Sequence, residues 1–417
     1  MTTKPRDLPF GYCTNVHAGV TLGEAQANLE RVAVRVQQLV APEGRLPVGL
    51  WLSEQAAHQL IDADDVARFS AWLSEKSLQA YTFNGFPQGD FHQAVVKHAV
   101  YEPTWLDARR VEYTCLLADI LSGLLAEGQG GSISTLPLGW PQRPWLAEDF
   151  ARAAANLRFV AHHLHIVAEE TGHEIVLAIE PEPGCVLDSA PDMVDFFEQL
   201  LSANNAEIVR RHITVCHDIC HSAVMFEAQK DALQAYADNG IRIGKLQVSS
   251  AVEVPWQETE GDNLRRQAMA AQLRSFNEPR YLHQTTRMGP SKSQDARTVE
   301  LVEDLPVALD NWLAELQPPH LHEPWRVHFH VPIYTDRFGG LKATRDDIAA
   351  AVNYLHSQRN LQVADRPWFT GHYEVETYAW GVLPAELQVP DLATGIAREL
   401  EYFQSVLSGG PNTNATR

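Results

Sequence analysis

The sequence predicts a barrel of eight parallel strands, each followed by a helix, a (β/α)8 or TIM barrel. Three observations support this fold class. Short β-prone runs alternate with longer helical patterns up to about residue 250. Most of those runs are uncharged until their last residues, as strands are when helices cover both faces of a parallel sheet. Polar residues collect at the ends of the runs, where such barrels carry their reactive groups.

The strands and helices follow one another regularly in the first part of the chain. The first run, 10–16, precedes a helix that begins after Thr21, where Thr21 and Glu24 form a capping box. Apolar residues recur every three or four positions along that helix. Further strands are predicted at 47–53, 78–87, 131–139, 174–184, 212–221 and 241–250, and further helices near 64–76, 105–126 and 147–171 and from about 189.

The later part is less regular. Residues 251–324 are polar and are predicted to form an insertion before the last strands. Two more β-prone runs follow, at 325–334 and 369–380, so nine candidates compete for eight places in the barrel. We take 325–334 as the extra one, either as part of the insertion or as a true strand that displaces another run.

The domain organisation follows from this pattern. Residues 1–407 are predicted to form a single barrel domain that includes the insertion, with a last helix near 390–407. Residues 408–417 are predicted to be a disordered tail. The alternative is two domains with a boundary near 255–320, because the alternation of strands and helices resumes after that region.

Composition limits the function. The chain has 417 residues, 45% of them hydrophobic, which is enough for a large core. Its formal net charge of -20 argues against a nucleic-acid partner. No apolar run approaches the roughly 20 residues that cross a bilayer, and the N-terminus lacks the apolar core of a signal peptide. We therefore expect a soluble, cytoplasmic protein. Its five cysteines, without a CxxC pair, predict neither disulfides nor a thiolate zinc site.

Candidate reactive residues lie at the predicted strand ends. Glu180 follows four apolar residues, and alone it is as easily a buried ion-pair partner as a ligand or an acid-base group. Asp218 and His221 lie three residues apart where another buried strand ends, a spacing that places a carboxylate on a metal and an imidazole beside it. Asp218 could equally cap the following helix. Gln247 offers an amide oxygen that hard cations accept, although a core amide is the commoner reading.

The last run carries the strongest indication of a metal. Glu374 and Glu376 lie two residues apart, so both side chains point to one face of an extended segment. Two buried carboxylates on one face repel each other unless a cation or hydrogen-bond donors lie between them. A solvent-facing edge is the alternative. His328 and His330 also share a face, as metal-binding or substrate-binding histidines do, and without the carboxylates they would be ordinary core residues.

The ends of the early strands supply candidates for substrate binding. Asn15, His17 and Asn84 lie there, where they could hold substrate hydroxyls or cap turns. No nucleophile elbow, phosphate-binding glycine loop or dinucleotide motif follows any strand, which disfavours phosphoryl and hydride transfer.

The order of these groups resembles the xylose-isomerase-like barrels, which include sugar isomerases, ketose and tagatose epimerases and barrel-type abasic-site endonucleases. The resemblance implies that Glu180 and Asp218 are metal ligands, with His221 beside them. It implies that Glu376 is the last-strand ligand, with Glu374 as the second choice, and that Gln247 stands where those families usually have His. The segment HFHVP before DRFGG is similar to one that recruits a histidine, here His328 or His330.

Within that superfamily the chain resembles the metabolite traffic protein EboE family from about Leu8 to Leu407. The motifs that carry the resemblance are YCTNVHAG, FNGFPQGDFH, GSISTLP, IEPEPG, CHDICHSAV, KLQVSSA and ETYAW. It implies a gene cluster for an isoprenoid or related secondary metabolite, beside a membrane protein similar to prenyltransferases. It supplies no reaction, and Gln247 departs from the pattern of the sugar epimerases.

Three functions are expected from these residues. The first is a metal-dependent isomerase, epimerase or lyase acting on a polyol or metabolite, with Mn, Mg or Co held by Glu180, Asp218, Gln247 and Glu376. Glu180 and Glu376 would then move the proton, with His221 as a further catalytic group. The second is a hydrolase whose histidines recruit zinc. The third is a metabolite carrier without turnover. The oligomeric state does not follow from the sequence.

Overall fold

A computed structural model of the protein describes residues 8–62, 65–202, 206–289, 298–316 and 320–409. Eight parallel strands close into a barrel, in which the last strand of the chain pairs with both the first and the seventh. The first seven strands are β1 (Gly11–Cys13), β2 (Leu46–Leu50), β3 (Leu78–Asn84), β4 (Gly131–Thr135), β5 (Ile175–Ile179), β6 (Ile213–Asp218) and β7 (Ile243–Val248). The predicted fold class, a (β/α)8 barrel, is confirmed.

A second sheet interrupts the barrel after β7. Its six strands are antiparallel and are β8 (Val252–Val254), β9 (Thr285–Met288), β10 (Val299–Val302), β11 (Trp325–Val327), β12 (Arg337–Phe338) and β13 (Leu341–Ala343). A small hairpin, β14 (Gln362–Val363) and β15 (Arg366–Pro367), precedes β16 (Tyr373–Val375), which closes the barrel. The insertion predicted at 251–324 is confirmed, but its sheet continues to Ala343. The extra strand candidate at 325–334 belongs to this sheet and forms a strand only at its start.

Helices cover the outside of the barrel. Thr21 caps α1 through the predicted capping box with Glu24, and Ser189 caps α7. Several helices were not predicted, among them the helix at 54–62 and the two in the insertion, at 263–274 and 305–311. The helices are α1 (Leu22–Asn28), α2 (Val34–Val40), α3 (Glu54–Asp62), α4 (Val66–Glu75), α5 (Ala108–Leu124), α6 (Ala147–Thr171), α7 (Ala190–Leu201), α8 (Ala206–His212), α9 (Ile219–Val224), α10 (Gln229–Asp238), α11 (Asn263–Arg274), α12 (Leu305–Asn311), α13 (Asp346–Ser357) and α14 (Leu392–Leu407).

The first and the last predicted strands are much shorter than their β-prone runs. The run 10–16 is extended only over β1, because Thr14–Val16 form a single 3-10 turn. This turn places Asn15 at the barrel mouth. The run 369–380 is a strand only over β16, and Tyr378–Val382 form another 3-10 turn. Both turns lie at the end of the barrel where the strands finish.

The molecule has two large apolar cores. The barrel core lies between the strands and the helices, and a second core lies between the antiparallel sheet, α11, α12 and the loops at the barrel mouth. Val16, Val100 and Leu392 pack against both cores, so the second sheet sits on the mouth of the barrel. The division into domains stays a prediction, and the tail predicted at 408–417 lies outside the described residues except for its first two. Among the described helices, none has the length and apolar character needed to span a membrane.

Candidate metal centre and its cavity

Three carboxylates from three barrel strands meet at the mouth of the barrel. Glu180 follows β5, Asp218 ends β6 and Glu376 follows β16. Each offers an oxygen within 4.8 Å of the others, and all three side chains are buried. They converge because the carboxyl ends of parallel strands lie at the same end of a barrel, as the sequence predicted for these residues.

Gln247, on β7, lies among the three carboxylates. Its amide nitrogen donates to Glu180 Oε1 at 3.2 Å, to Asp218 Oδ2 at 3.4 Å and to Glu376 Oε2. Its oxygen accepts from the Cys216 thiol at 2.9 Å. The amide therefore turns its donors toward the acids, whereas an amide binds a cation through its oxygen.

Two asparagines hold the last carboxylate. Asn15 and Asn84 both donate to Glu376 Oε1, at 2.6 Å and 2.9 Å. Asn15 lies in the turn after β1, and Asn84 is the last residue of β3. These predicted substrate-binding residues thus contact the candidate metal ligand and also line the cavity described below.

The two carboxylate oxygens of Asp218 have different roles. Oδ1 accepts from the His221 backbone N–H at 3.0 Å, which caps α9, and from the Ser249 hydroxyl at 2.7 Å. Oδ2 faces Gln247 and the other acids. The two alternatives for this residue, a helix cap and a member of the acidic group, are therefore compatible.

The acids interact electrostatically. Burial raises the pKa of Glu180 well above its usual value, and the nearby Glu376 and Asp218 raise it further. Burial, then Asp218 and Glu374, raise the pKa of Glu376 to about 8. Burial also raises the pKa of Asp218, but His221 and His330 and its hydrogen bonds outweigh burial and leave that pKa lowered.

The donor set fits a divalent cation. Glu180 Oε2 is buried and has no hydrogen-bond partner among the described residues. A buried carboxylate oxygen without a donor is costly, and three acids on one site repel one another, so a cation between them relieves both costs. Carboxylate and amide oxygens suit Mg, Mn or Co.

Three histidines border the acids. His221 contacts the Pro181 carbonyl through Nδ1 at 2.8 Å, and its Nε2 lies 3.1 Å from Nε2 of His328. His330 contacts the Glu376 carbonyl through Nδ1 at 2.9 Å, and its Nε2 has no partner in the described part of the chain. Burial, followed by His221 and other histidines, lowers the pKa of His328, and burial lowers that of His330 to about 4.

A fourth acid, Glu182, was not singled out from the sequence. Its Oε1 accepts from the Tyr101 hydroxyl at 2.7 Å and from the Gln284 amide at 3.2 Å. Glu182, His221 and His328 each offer a ligand atom within 4.8 Å of the other two. The signal available in the sequence was the repeat EPEPG, in which Glu182 follows Glu180 by two residues.

A cavity opens above these groups, with about 520 Å³ of space between protein atoms when its open mouth is included. Its floor is polar and consists of Asn15, Asn84, Glu180, His221, His330 and Glu376.

Two residues that were singled out from the sequence lie apart from this cavity. Glu374 is fully buried in the barrel, where Oε2 lies 2.5 Å from Nζ of Lys245. His17 contacts the Tyr12 hydroxyl at 3.2 Å, and burial lowers its pKa to about 3. Since neither side chain borders the cavity, neither is placed to contact a molecule bound there.

The chain has distant similarities among solved structures. It is similar to a xylose isomerase-like TIM barrel protein from Mycobacterium smegmatis in complex with magnesium, at 10% identity and a TM-score of 0.49 over 96% of this chain and 97% of that one. The IOLI protein with a bound zinc atom has 9% identity and a TM-score of 0.46 over 97% and 100%. An L-ribulose 3-epimerase has 19% identity and a TM-score of 0.38 over 57% and 68%.

These similarities are too distant to support a reaction. No family model matches the chain, and no curated protein matches it either. The solved structures similar to the chain include xylose-isomerase-like barrels, whereas membership of the EboE family is not shown. The side chains at the barrel mouth are therefore the basis for assigning a function to the protein.

Proposed function

We propose that the protein is a divalent-metal-dependent enzyme of the isomerase or epimerase type, which moves a proton on a small oxygen-rich metabolite. The observation that carries this proposal is the buried group Glu180, Asp218 and Glu376, of which Glu180 and Glu376 line the floor of an open cavity. Buried acids that share a site and have a cavity above them are a common signature of catalysis or metal binding.

Each residue of the floor has a distinct part in the proposal. Glu180, Asp218 and Glu376 would hold the ion, and Gln247 would be the fourth ligand with its amide turned so that the oxygen, instead of the nitrogen, faces the three acids. A bound divalent ion polarises adjacent substrate oxygens and so acidifies a neighbouring C–H or O–H bond. Glu180, whose Oε2 has no partner, would accept the substrate proton, and Glu376 would donate its own carboxyl proton to the substrate, so that the two carboxyl groups exchange protonation states. His221 hydrogen bonds to a substrate oxygen.

The first experiment measures metal binding. Purified protein is analysed for bound metals, stripped with a chelator and titrated with Mn²⁺, Co²⁺, Mg²⁺ and Zn²⁺ while its melting temperature is followed. We expect one ion per chain and a higher melting temperature. Glu180→Gln and Asp218→Asn should abolish both effects, whereas Glu198→Gln, which alters an exposed glutamate on α7, should leave both unchanged. Metal-independent melting of the unmodified protein would refute the proposal.

The second experiment tests proton transfer. The metal-loaded protein is incubated in D₂O with a panel of ketoses and polyols, and the loss of C–H signals is followed by NMR. An epimerase or isomerase exchanges the transferred proton with solvent even where the equilibrium is unfavourable. Exchange should stop in Glu180→Gln and Glu376→Gln.

A hydrolase is the second candidate, and the group Glu182, His221 and His328 favours it. This group adjoins the three acids, and imidazole ligands favour zinc. Two zinc ions per chain, together with release of product from ester or amide substrates, would decide for this function.

A metabolite carrier is the third candidate. Gln247 supports it, because its amide nitrogen donates to one oxygen of each acid and so occupies the space between them. A carrier is also the function that fits membership of the EboE family. In that case the protein would work beside a membrane protein similar to prenyltransferases. Binding of a metabolite without metal dependence or proton exchange would decide for it.

A further inference from the structure

The walls of the cavity differ chemically from its floor. They are formed by apolar and aromatic side chains, namely Phe86, Phe91, Val96, Val100, Tyr281 and Tyr378. Phe91 and Tyr281 have ring centroids 5.0 Å apart, as do Tyr281 and Tyr378. Aromatic rings in such contact form a rigid apolar surface.

Two tyrosines that line the cavity, Tyr101 and Tyr281, use their hydroxyls in hydrogen bonds within the protein. The Tyr101 hydroxyl donates to Glu182 at 2.7 Å, and the Tyr281 hydroxyl donates to the Phe91 carbonyl at 3.3 Å. A free sugar held between these walls would leave hydroxyl groups without partners, which costs about 1–3 kcal/mol for each group. The walls therefore disfavour a molecule that is polar along its whole length.

The cavity also lacks a cation for a phosphate group. Among the described residues that line it, Lys97 is the only lysine or arginine, and its Nζ lies 2.5 Å from Oδ2 of Asp304. A phosphate ester is recognised by cations and N–H donors that are free to bind it. Without a bound ion, the acids on the floor would also repel its charge.

We propose that the substrate is an unphosphorylated amphipathic molecule, with a compact head that carries adjacent oxygens and an apolar body. The head reaches Glu180, Glu376 and the asparagines, and this part of the inference rests on the proposed function. The body lies between Phe91, Tyr281 and Tyr378 on one side and Val96 and Val100 on another, where burial of its methylene groups supplies binding free energy.

The test compares probes with related heads: glycerol, 1-O-hexylglycerol and glycerol 1-phosphate. Their dissociation constants are measured by saturation-transfer NMR titration, once with Mg²⁺ and once with a chelator. We expect 1-O-hexylglycerol to bind at least about 30-fold more tightly than glycerol, because each buried methylene contributes several-fold. Glycerol 1-phosphate should bind no better than glycerol. Equal binding of glycerol and 1-O-hexylglycerol, including no binding of either, would overturn the inference, as would preference for the phosphate.

Variants locate the apolar body. Val100→Asn should reduce the preference for 1-O-hexylglycerol to less than about fivefold by placing an amide on the wall. Val95→Asn is the matched control, since Val95 is 56% exposed and does not line the cavity. If Val100→Asn fails to fold, the comparison of probes on the unmodified protein still decides.

The two proposals fail differently. If the protein binds no metal, the proposed function fails, but a preference for the hexyl probe in chelator still supports an apolar body. If the protein binds metal and shows no hexyl preference in either condition, the proposed function stands and this inference is overturned.

Discussion

The Lys245 ammonium lies 2.5 Å from Oε2 of Glu374, and both side chains are fully buried in the barrel beneath the candidate metal centre. Lys245 also approaches the Phe83 carbonyl at 3.4 Å and the Ser134 hydroxyl at 3.3 Å. Burial raises the pKa of Glu374, and Lys245 opposes that shift. The same ammonium opposes the upward pKa shifts of nearby acids at the mouth.

Lys245→Met should strongly destabilise the protein. It leaves Glu374 buried without a cation, and breaking a buried ion pair in this way costs about 3–5 kcal/mol. Urea unfolding followed by circular dichroism measures the change. Lys245→Met combined with Glu374→Leu should recover most of the loss, because the uncompensated charge is then absent. A single variant as stable as the unmodified protein would show that the pair is not needed.

Gly49→Ala should also be destabilising. A Cβ atom at Gly49 would overlap the carboxylate of Glu374 and meet Thr82 Cγ2 at 3.0 Å. The substitution must therefore displace the Lys245 pair, and we expect a loss of several kcal/mol, in the range of about 3–5 kcal/mol. Gly23→Ala is the matched control. Gly23 lies in α1 with open space around it, so this change should stabilise the helix by about 0.5–1 kcal/mol. Equal thermal stability of the two variants would contradict the prediction.

Gln247→His should strengthen the binding of Co²⁺ and Zn²⁺. The change removes the amide donors that satisfy the three acids and adds an imidazole, which these ions prefer. We expect affinity to rise by roughly tenfold, equivalent to about 1.4 kcal/mol, and the metal-free protein to melt at a lower temperature. Calorimetric titration measures the affinity. Gln257→His, on the surface, is the control for an added histidine, and unchanged affinity in Gln247→His would contradict the prediction.

Glu399 should make the protein less stable as the pH rises. Its carboxylate is 1% exposed and accepts from the Thr377 hydroxyl, the Ile333 N–H and the Trp380 indole. Burial raises its pKa to about 7, although these donors oppose the shift. As the pH rises, the Glu399 carboxyl therefore loses its proton at a lower pH in the unfolded state than in the folded state. The stabilisation is complete below the unfolded pKa and is lost as the pH rises through the folded pKa, a change of about 3 kcal/mol.

Urea unfolding at pH 5 and at pH 8 tests this linkage. Stability should fall over the interval, and Glu399→Gln should reduce the fall because glutamine does not titrate. Other buried acids, including Glu227 with a pKa raised to about 7 by burial, leave part of the fall in the variant. Glu401→Gln, at an exposed position on the same helix, should keep the slope of the unmodified protein. If Glu399→Gln keeps that slope too, Glu399 is charged at both pH values.

The sequence allowed most of the barrel and its acidic group to be predicted, because both depend on local patterns. Buried parallel strands are apolar until they end, and this placed Glu180 and Asp218 at the mouth. To choose between Glu374 and Glu376, one must know how deep each carboxylate lies along the barrel axis. Glu374 lies within β16, paired with Gln247, and its carboxylate meets Lys245, whereas Glu376 follows the end of the strand and reaches the other acids. Alternation along one strand does not contain that information.

The second sheet could not be assembled from the sequence. Gln284 precedes β9, and His328 follows β11, which pairs with β9 across about forty residues of chain. Such pairing depends on contacts distant in the sequence rather than on local periodicity. For this reason no local motif predicts the hydrogen-bonded group formed by Tyr101, Glu182 and Gln284.

The cavity lies where the two apolar cores meet. Phe86 and Tyr101 belong to the barrel core, whereas Phe91 and Tyr281 belong to the core of the antiparallel sheet. A molecule bound in the cavity contacts side chains of both cores. Unfolding of either core therefore also breaks the contacts between that core and the bound molecule. Occupancy would then tighten the coupling between the two cores, and a scanning calorimeter would register it as a sharper, more cooperative melting transition.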